Sequence, residues 1–164
     1  MDGSEKYLKV FFGKQTGYYW DNYVDYVNGR KFTFNIGSFF FGFFWMLYRK
    51  LYWQALGYIS VLIGVDIMWN SIYSSFLVGI EIQKGIMIID AFLFAFILGF
   101  IGNWLYFKSV DRRVSAILQT TAEEEKRIEL LTKKGGVSYI AFIIFGIWIA
   151  AIVLLVYYSK QWVN

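Results

Sequence analysis

Five side chains embedded in apolar sequence could carry chemistry: Asp66, Asn70, Tyr73, Asp90 and Asn103. Asp66, Asn70 and Tyr73 are spaced i, i+4 and i+7, so on a helix they share one face. An ionised carboxylate in the middle of an apolar span is expensive unless it is protonated, hydrogen-bonded or beside water. The apolar runs contain no Lys, Arg or His to neutralise it. Asp90 enters its own run near one end, and antiparallel pairing of the two runs places it nearer Tyr73 than Asp66. Two readings of these residues stay open. One is a proton or cation site; the other, which asks for less, is interhelical hydrogen bonding that fixes a bundle.

The rest of the composition removes most other chemistry. His, Cys and Pro are all absent. Without His and Cys the chain lacks the commonest general base, the commonest transition-metal ligand and any thiolate nucleophile. No phosphate loop, G-x-S-x-G or H-E-x-x-H is present. Ser60, Ser71, Ser74 and Ser75 have no His to activate them and read as packing hydroxyls. The expectation is a protein that is not an enzyme, with no catalytic residues, no metal and no cofactor. A net charge of +4 records topology here, since no basic run is interleaved with polar residues as a nucleic-acid groove would require.

The elements that must position these side chains are apolar helices. The 164 residues are 58% hydrophobic and 23% aromatic, above a soluble domain. Apolar runs at 51–79, 86–107 and 137–158 are long enough to span a bilayer. Residues 79–85 (GIEIQKG) read as the turn between the first two. The segment 108–134 is charged. It is expected to continue the second span to about Leu118, break, and resume as a helix from Ala122 to Lys134, with Thr121 and Glu124 as a capping box. Val110, Val114, Ile117, Ile128 and Leu131 form one apolar face there. Ala95, Gly99 and Asn103, and again Gly146 and Ala150, recur at intervals of four, a spacing that allows close helix contact. Tyr157, Tyr158 and Trp162 read as a closing aromatic belt. Residues 1–33 show no apolar run of the signal-peptide type. They read as a cytosolic segment with one aromatic helix from Thr16, its cap, to about Asn28, stopped by Gly29.

Between these lies Phe34–Tyr52, FNIGSFFFGFFWMLYRKLY. As a straight helix, Phe34–Tyr48 would be roughly 22 Å long, short of the ~30 Å bilayer core. An interfacial or re-entrant helix over 34–50 is the better reading. On a helical wheel Asn35, Ser38, Gly42 and Arg49 share one stripe that would admit a neighbouring backbone. Arg49 and Lys50 are expected at anionic headgroups.

Tyr18-Tyr19, Phe34-Asn35, Phe39-Phe40-Phe41-Gly42, Trp45 and Tyr48-Arg49-Lys50-Leu51-Tyr52 resemble a family of small bacterial inner-membrane proteins built on a domain of unknown function. Its signature runs roughly FNW-x-A-FFFG-x-x-W-x-x-YRKMY, preceded by G-x-x-x-x-YY. Gly102-Asn103-Trp104-Leu105-Tyr106 and Gly135-Gly136-Val137-Ser138 are similar to its GN-x-x-Y and GG-x-S elements. Ile36, Gly37-Ser38 and Leu51 depart from it where Trp, Ala and Met are usual. The resemblance implies an architecture and carries over no catalytic residue. From the length and flanking charges of this stretch, Phe34, Asn35, Trp45, Tyr48, Arg49 and Lys50 are expected to form a membrane-interface motif.

Orientation follows from basic residues. With the N-terminus inside, Phe34–Tyr48 not crossing and three spans, fourteen of the sixteen Lys and Arg are cytoplasmic; Lys84 and Lys160 lie outside. The expected fold is an all-α, multi-pass protein of the bacterial inner membrane, with its N-terminus cytoplasmic and C-terminus outside. It has three transmembrane helices, an interfacial or re-entrant helix and a cytosolic helical segment. Its partners would be the lipid bilayer and either another membrane protein or further copies of itself, not nucleic acid. The expected role is that of a non-enzymatic accessory, assembly or regulatory subunit of a membrane complex. The alternative is a small transporter, or a proton- or cation-conducting element, that uses Asp66.

Overall fold

The computed structural model describes residues 2–161, and the described residues form helices and connecting turns without strands. In chain order the helices are α1 (Asp2–Phe12), α2 (Thr16–Val27), α3 (Ile36–Tyr48), α4 (Tyr52–Phe76), α5 (Ile80–Thr120), α6 (Glu124–Lys134) and α7 (Ile140–Gln161), with a 3-10 turn, Gly13–Gln15, between α1 and α2. Three of them, α4, α5 and α7, are long and apolar enough to cross a membrane. Trp162 lies outside the described residues.

The architecture is a packed head from which apolar helices project. The head is built on the C-terminal half of α5, where Phe107, Val110, Val114 and Ile117 are buried. Phe11 and Phe12 of α1, Tyr19 of α2 and Leu131 of α6 close over that surface. Full burial of one such side chain stabilises by roughly 1.5–3 kcal/mol, so this face holds the head together. The apolar face read on the charged segment is therefore covered by the chain's own α1 and α6. At the other side of the head, α4 and α7 both start beside the end of α3 and rest chiefly on it. Farther along, α4 and α7 expose most of their apolar side chains.

Several local expectations change. α1 was not foreseen; its amphipathic pattern is short, yet Phe11 and Phe12 are almost fully buried. Thr16 does not cap α2. Its hydroxyl instead donates to the carbonyls of Gly13 and Lys9. The 121–124 capping box does not form: Thr121 ends α5, its carbonyl accepting from Arg127 Nε, and Glu124 faces Lys6 and Tyr7 instead. The link between α4 and α5 is Leu77–Gly79, with Leu77 at φ +49°, and most of GIEIQKG is already the first turns of α5.

Phe34–Tyr48 is not one straight helix. Gly42 takes φ +45° and ψ −114°, a left-handed conformation that breaks α3 in two. Positions 37 and 45 would be about 12 Å apart on an unbroken helix. Here a Cβ at Gly37 would lie 3.0 Å from the Trp45 ring. The single stripe expected through Asn35, Ser38, Gly42 and Arg49 is thus split. Asn35 and Ser38 face α5, while Arg49 faces α2.

Candidate functional site

The path of residues 30–50 can be followed against α5 as a ruler. Phe32 packs on Trp104, Phe34 on Phe100, and Phe39 on Phe96. The chain then turns back: the Ser38 hydroxyl donates to the Leu98 carbonyl, Trp45 packs on Tyr106, and the Lys50 carbonyl accepts from Arg113. It descends as extended backbone and rises as a helix. From Phe96 to Arg113 is about 25 Å along the α5 axis, and both arms begin and end at the head.

A descent of this kind takes irregular backbone into apolar surroundings, where every polar group needs a partner. Asn35 and Asn103 supply those partners. The Asn35 backbone N–H donates to the Gly99 carbonyl at 2.8 Å. Its side-chain oxygen caps α3 by accepting from the Ser38 N–H at 2.8 Å, and its Nδ2 donates to Asn103 Oδ1 at 2.7 Å. Asn103 Nδ2 in turn donates to Thr33 Oγ1 at 2.9 Å and the Tyr18 hydroxyl at 3.1 Å, with Asn22 Oδ1 at 3.4 Å. Asn35 and Asn103 are both essentially sealed from solvent. Close approach makes this geometry attainable. A Cβ at Gly102 would fall 2.4 Å from Ser38 Oγ, and one at Gly99 would fall 2.6 Å from the Phe34 ring.

Arg49 is the second centre. The expectation that it meets lipid headgroups is corrected, because it is 1% exposed. Its Nε donates to the Tyr19 hydroxyl at 3.0 Å and its Nη2 to Gln15 Oε1. The guanidinium lies 3.9 Å from the Tyr19 ring centroid and 5.2 Å from that of Tyr106. Its Nη1 has no hydrogen-bond partner. Aromatic faces and a neutral amide thus hold this cation, and no ion pair to a carboxylate is found for it among the described residues. Lys50, at φ +58°, is also turned inward. Its ammonium donates to the carbonyls of Lys133 and Gly135, and burial, with Arg113 nearby, pushes its pKa down. Together with the Ser138 N–H, which donates to the Tyr48 carbonyl, these bonds tie the starts of α4 and α7 to the end of α3.

The acids of the apolar helices lie apart from these centres. Asp66 and Asn70 are joined by a 3.2 Å hydrogen bond from Asn70 Nδ2 and are exposed on α4. Tyr73 stacks on Trp69 and is buried, and its hydroxyl has no hydrogen-bond partner. Of the five polar residues singled out in the sequence, Asn103 therefore belongs to one group and the other four to another. Tyr18, Tyr19, Thr33, Tyr106 and Arg113 were not singled out. The doubled tyrosine and the G-N-x-x-Y spacing were the signals available for three of them.

A cavity of about 730 Å³ opens between α2, α3 and the start of α7. Lys14 and Gln15 lie at one end, at the level of Arg49, and Phe34 and Phe41 at the other.

This is an all-helical protein with three helices of membrane-spanning length and composition, organised around a broken, doubled-back aromatic segment. The chain belongs to the family described as Protein of unknown function (DUF2628), whose model matches residues 10–112. That stretch holds the Asn35–Asn103 contact and Arg49, and ends before α6 and the Gly135–Ser138 element. No curated protein and no solved structure matches the chain.

Proposed function

We propose that this protein is a non-enzymatic accessory or assembly subunit of a complex in the bacterial inner membrane, with its head on the cytoplasmic side. The observation that carries this reading is the outward placement of Asp66 and Asn70 on α4. A carboxylate and an amide facing lipid at mid-span are costly, and a helix from another protein or another copy would satisfy them. The exposed apolar surfaces of α4 and α7 leave room for such a neighbour. The basic residues of the head support its cytoplasmic placement.

Purification of the tagged full-length chain in mild detergent tests the reading. A stoichiometric foreign membrane subunit that is lost with Asp66→Leu and Asn70→Leu supports it. A chain that remains monomeric and partner-free, with both variants unchanged in the cell, contradicts it.

A second reading has one observation in its favour: the buried, unpartnered Tyr73 hydroxyl on the helix that carries Asp66. A proton or cation path would use that site. Asp66→Asn separates the two readings, since it keeps the hydrogen-bonding shape but removes the titratable proton. Assembly retained with function lost favours conduction; both retained favours the subunit.

A further inference from the structure

The cavity beside α3 has a direction. At its head end are Lys14, exposed and without an ion pair among the described residues, and Gln15, Tyr19 and Tyr48, against which the Arg49 guanidinium is packed. At its far end are Phe34 and Phe41, with Phe145 of α7 on the side. No carboxylate lines it. Two cations, one at the mouth and one behind the wall, thus face an aromatic slot that runs down alongside a span. Among the described residues Arg49 has no carboxylate partner, and its Nη1 is buried without a hydrogen-bond partner.

We infer that this cavity binds an anionic phospholipid of the surrounding leaflet, with its headgroup phosphate at Lys14 and the upper part of one acyl chain between Phe41 and Phe145. Charge and shape both select this occupant. A free phosphate would leave the aromatic end empty, and a hydrocarbon would leave the cations unanswered. A volume near 730 Å³ suits a headgroup and part of a chain, within the usual range of small-molecule sites. The bound lipid would also touch both α7 and α2, which both line the slot.

The test is native mass spectrometry of the full chain in a neutral detergent, titrated separately with phosphatidylglycerol, phosphatidylcholine and glycerol phosphate. Three variants accompany the wild type. Lys14→Glu reverses the charge at the mouth. Gly17→Leu places a side chain into the slot from α2, where a Cβ would meet nothing within 4 Å. Lys126→Glu reverses an exposed charge on α6, away from the slot. The expected result is one tightly held phosphatidylglycerol, weakened about tenfold by Lys14→Glu, lost with Gly17→Leu and unchanged with Lys126→Glu. Equal retention of phosphatidylcholine overturns the proposal, as does binding of glycerol phosphate alone. Equal weakening by Lys126→Glu overturns it too, because it would show diffuse attraction to a basic surface. Gel filtration and circular dichroism of each variant guard against misfolding, and Lys14 and Gly17 are both surface positions.

Discussion

Asn35 Nδ2 donates to Asn103 Oδ1 at 2.7 Å, across 68 residues of sequence and between two side chains sealed from solvent. This contact fastens the descending backbone of residues 30–35 to α5. Replacing Asn103 with Leu keeps the approximate volume and takes this partner from the buried Asn35 amide and Thr33 hydroxyl, while the exposed Tyr18 hydroxyl keeps the Phe34 carbonyl. Each buried group left unpaired costs roughly 1–3 kcal/mol. A large fall in the thermal midpoint in detergent is expected for Asn103→Leu, whereas Asn70→Leu, at an exposed site on α4, leaves the isolated chain's midpoint nearly unchanged.

Glycines on α5 and α4 provide a matched pair. Gly102→Ala drives a methyl group into Ser38, while at Gly64 a Cβ meets nothing within 4 Å. In a helix interior Ala is favoured over Gly by about 1 kcal/mol. Gly64→Ala should therefore hold or raise stability. Gly102→Ala should lower it despite the better helix propensity, and thermal unfolding of the two variants side by side reads the difference.

Arg49 should not tolerate Lys. The guanidinium bonds two partners from Nε and Nη2 while its plane lies against Tyr19, and an ammonium can do only part of this. Arg49→Lys is expected to destabilise by roughly 1–3 kcal/mol, the range for losing a charge-assisted hydrogen bond in a buried setting. Limited proteolysis should then cut first near Gln15 and Thr16, where α2 loses its anchor.

Much of this was legible in the sequence, for identifiable reasons. Span length and composition alone marked α4, α5 and α7, because apolar runs of that length have few other uses. The shortness of Phe34–Tyr48 set it apart from the three long runs, and it forms a separate, shorter apolar helix, Ile36–Tyr48. The break at Gly42 was not legible, since a glycine in an aromatic run reads equally as a packing notch. Arg49 was misplaced for a similar reason. A basic residue ending an apolar run usually faces water, and its burial depends on Tyr19 and Tyr106, which lie 30 and 57 residues away in the chain. α1 was missed because its stability comes from docking Phe11 and Phe12 on α5 and α6 rather than from a local signal.

Asp111 makes part of the head sensitive to pH. Burial pushes its carboxyl up from 3.8, while hydrogen bonds from Tyr23, at 2.6 Å, and Tyr26 pull it down less. A raised folded pKa means that the head favours the protonated acid. That contribution is present below the unfolded value and is lost as pH rises through the folded one. Asp111→Asn keeps an acceptor for Tyr23 and removes the titration. The thermal midpoint of the variant relative to wild type should rise as the pH is raised above about 4, the ordinary carboxylate value. A difference that stays flat across that range would contradict this assignment.

The aromatic segment 30–50 is expected to dip along α5 and return to the side it left, with α1, α2 and α6 sharing one face of the membrane. The chain has no cysteine, so single cysteines report cleanly. Membrane-impermeant maleimide labelling of Asn28→Cys, Gln119→Cys and Lys84→Cys, in intact cells and in inside-out vesicles, measures it directly. Asn28 and Gln119 should label only in inside-out vesicles, and Lys84 only in intact cells. If Asn28 and Gln119 label from opposite sides, the segment crosses the bilayer and the account fails.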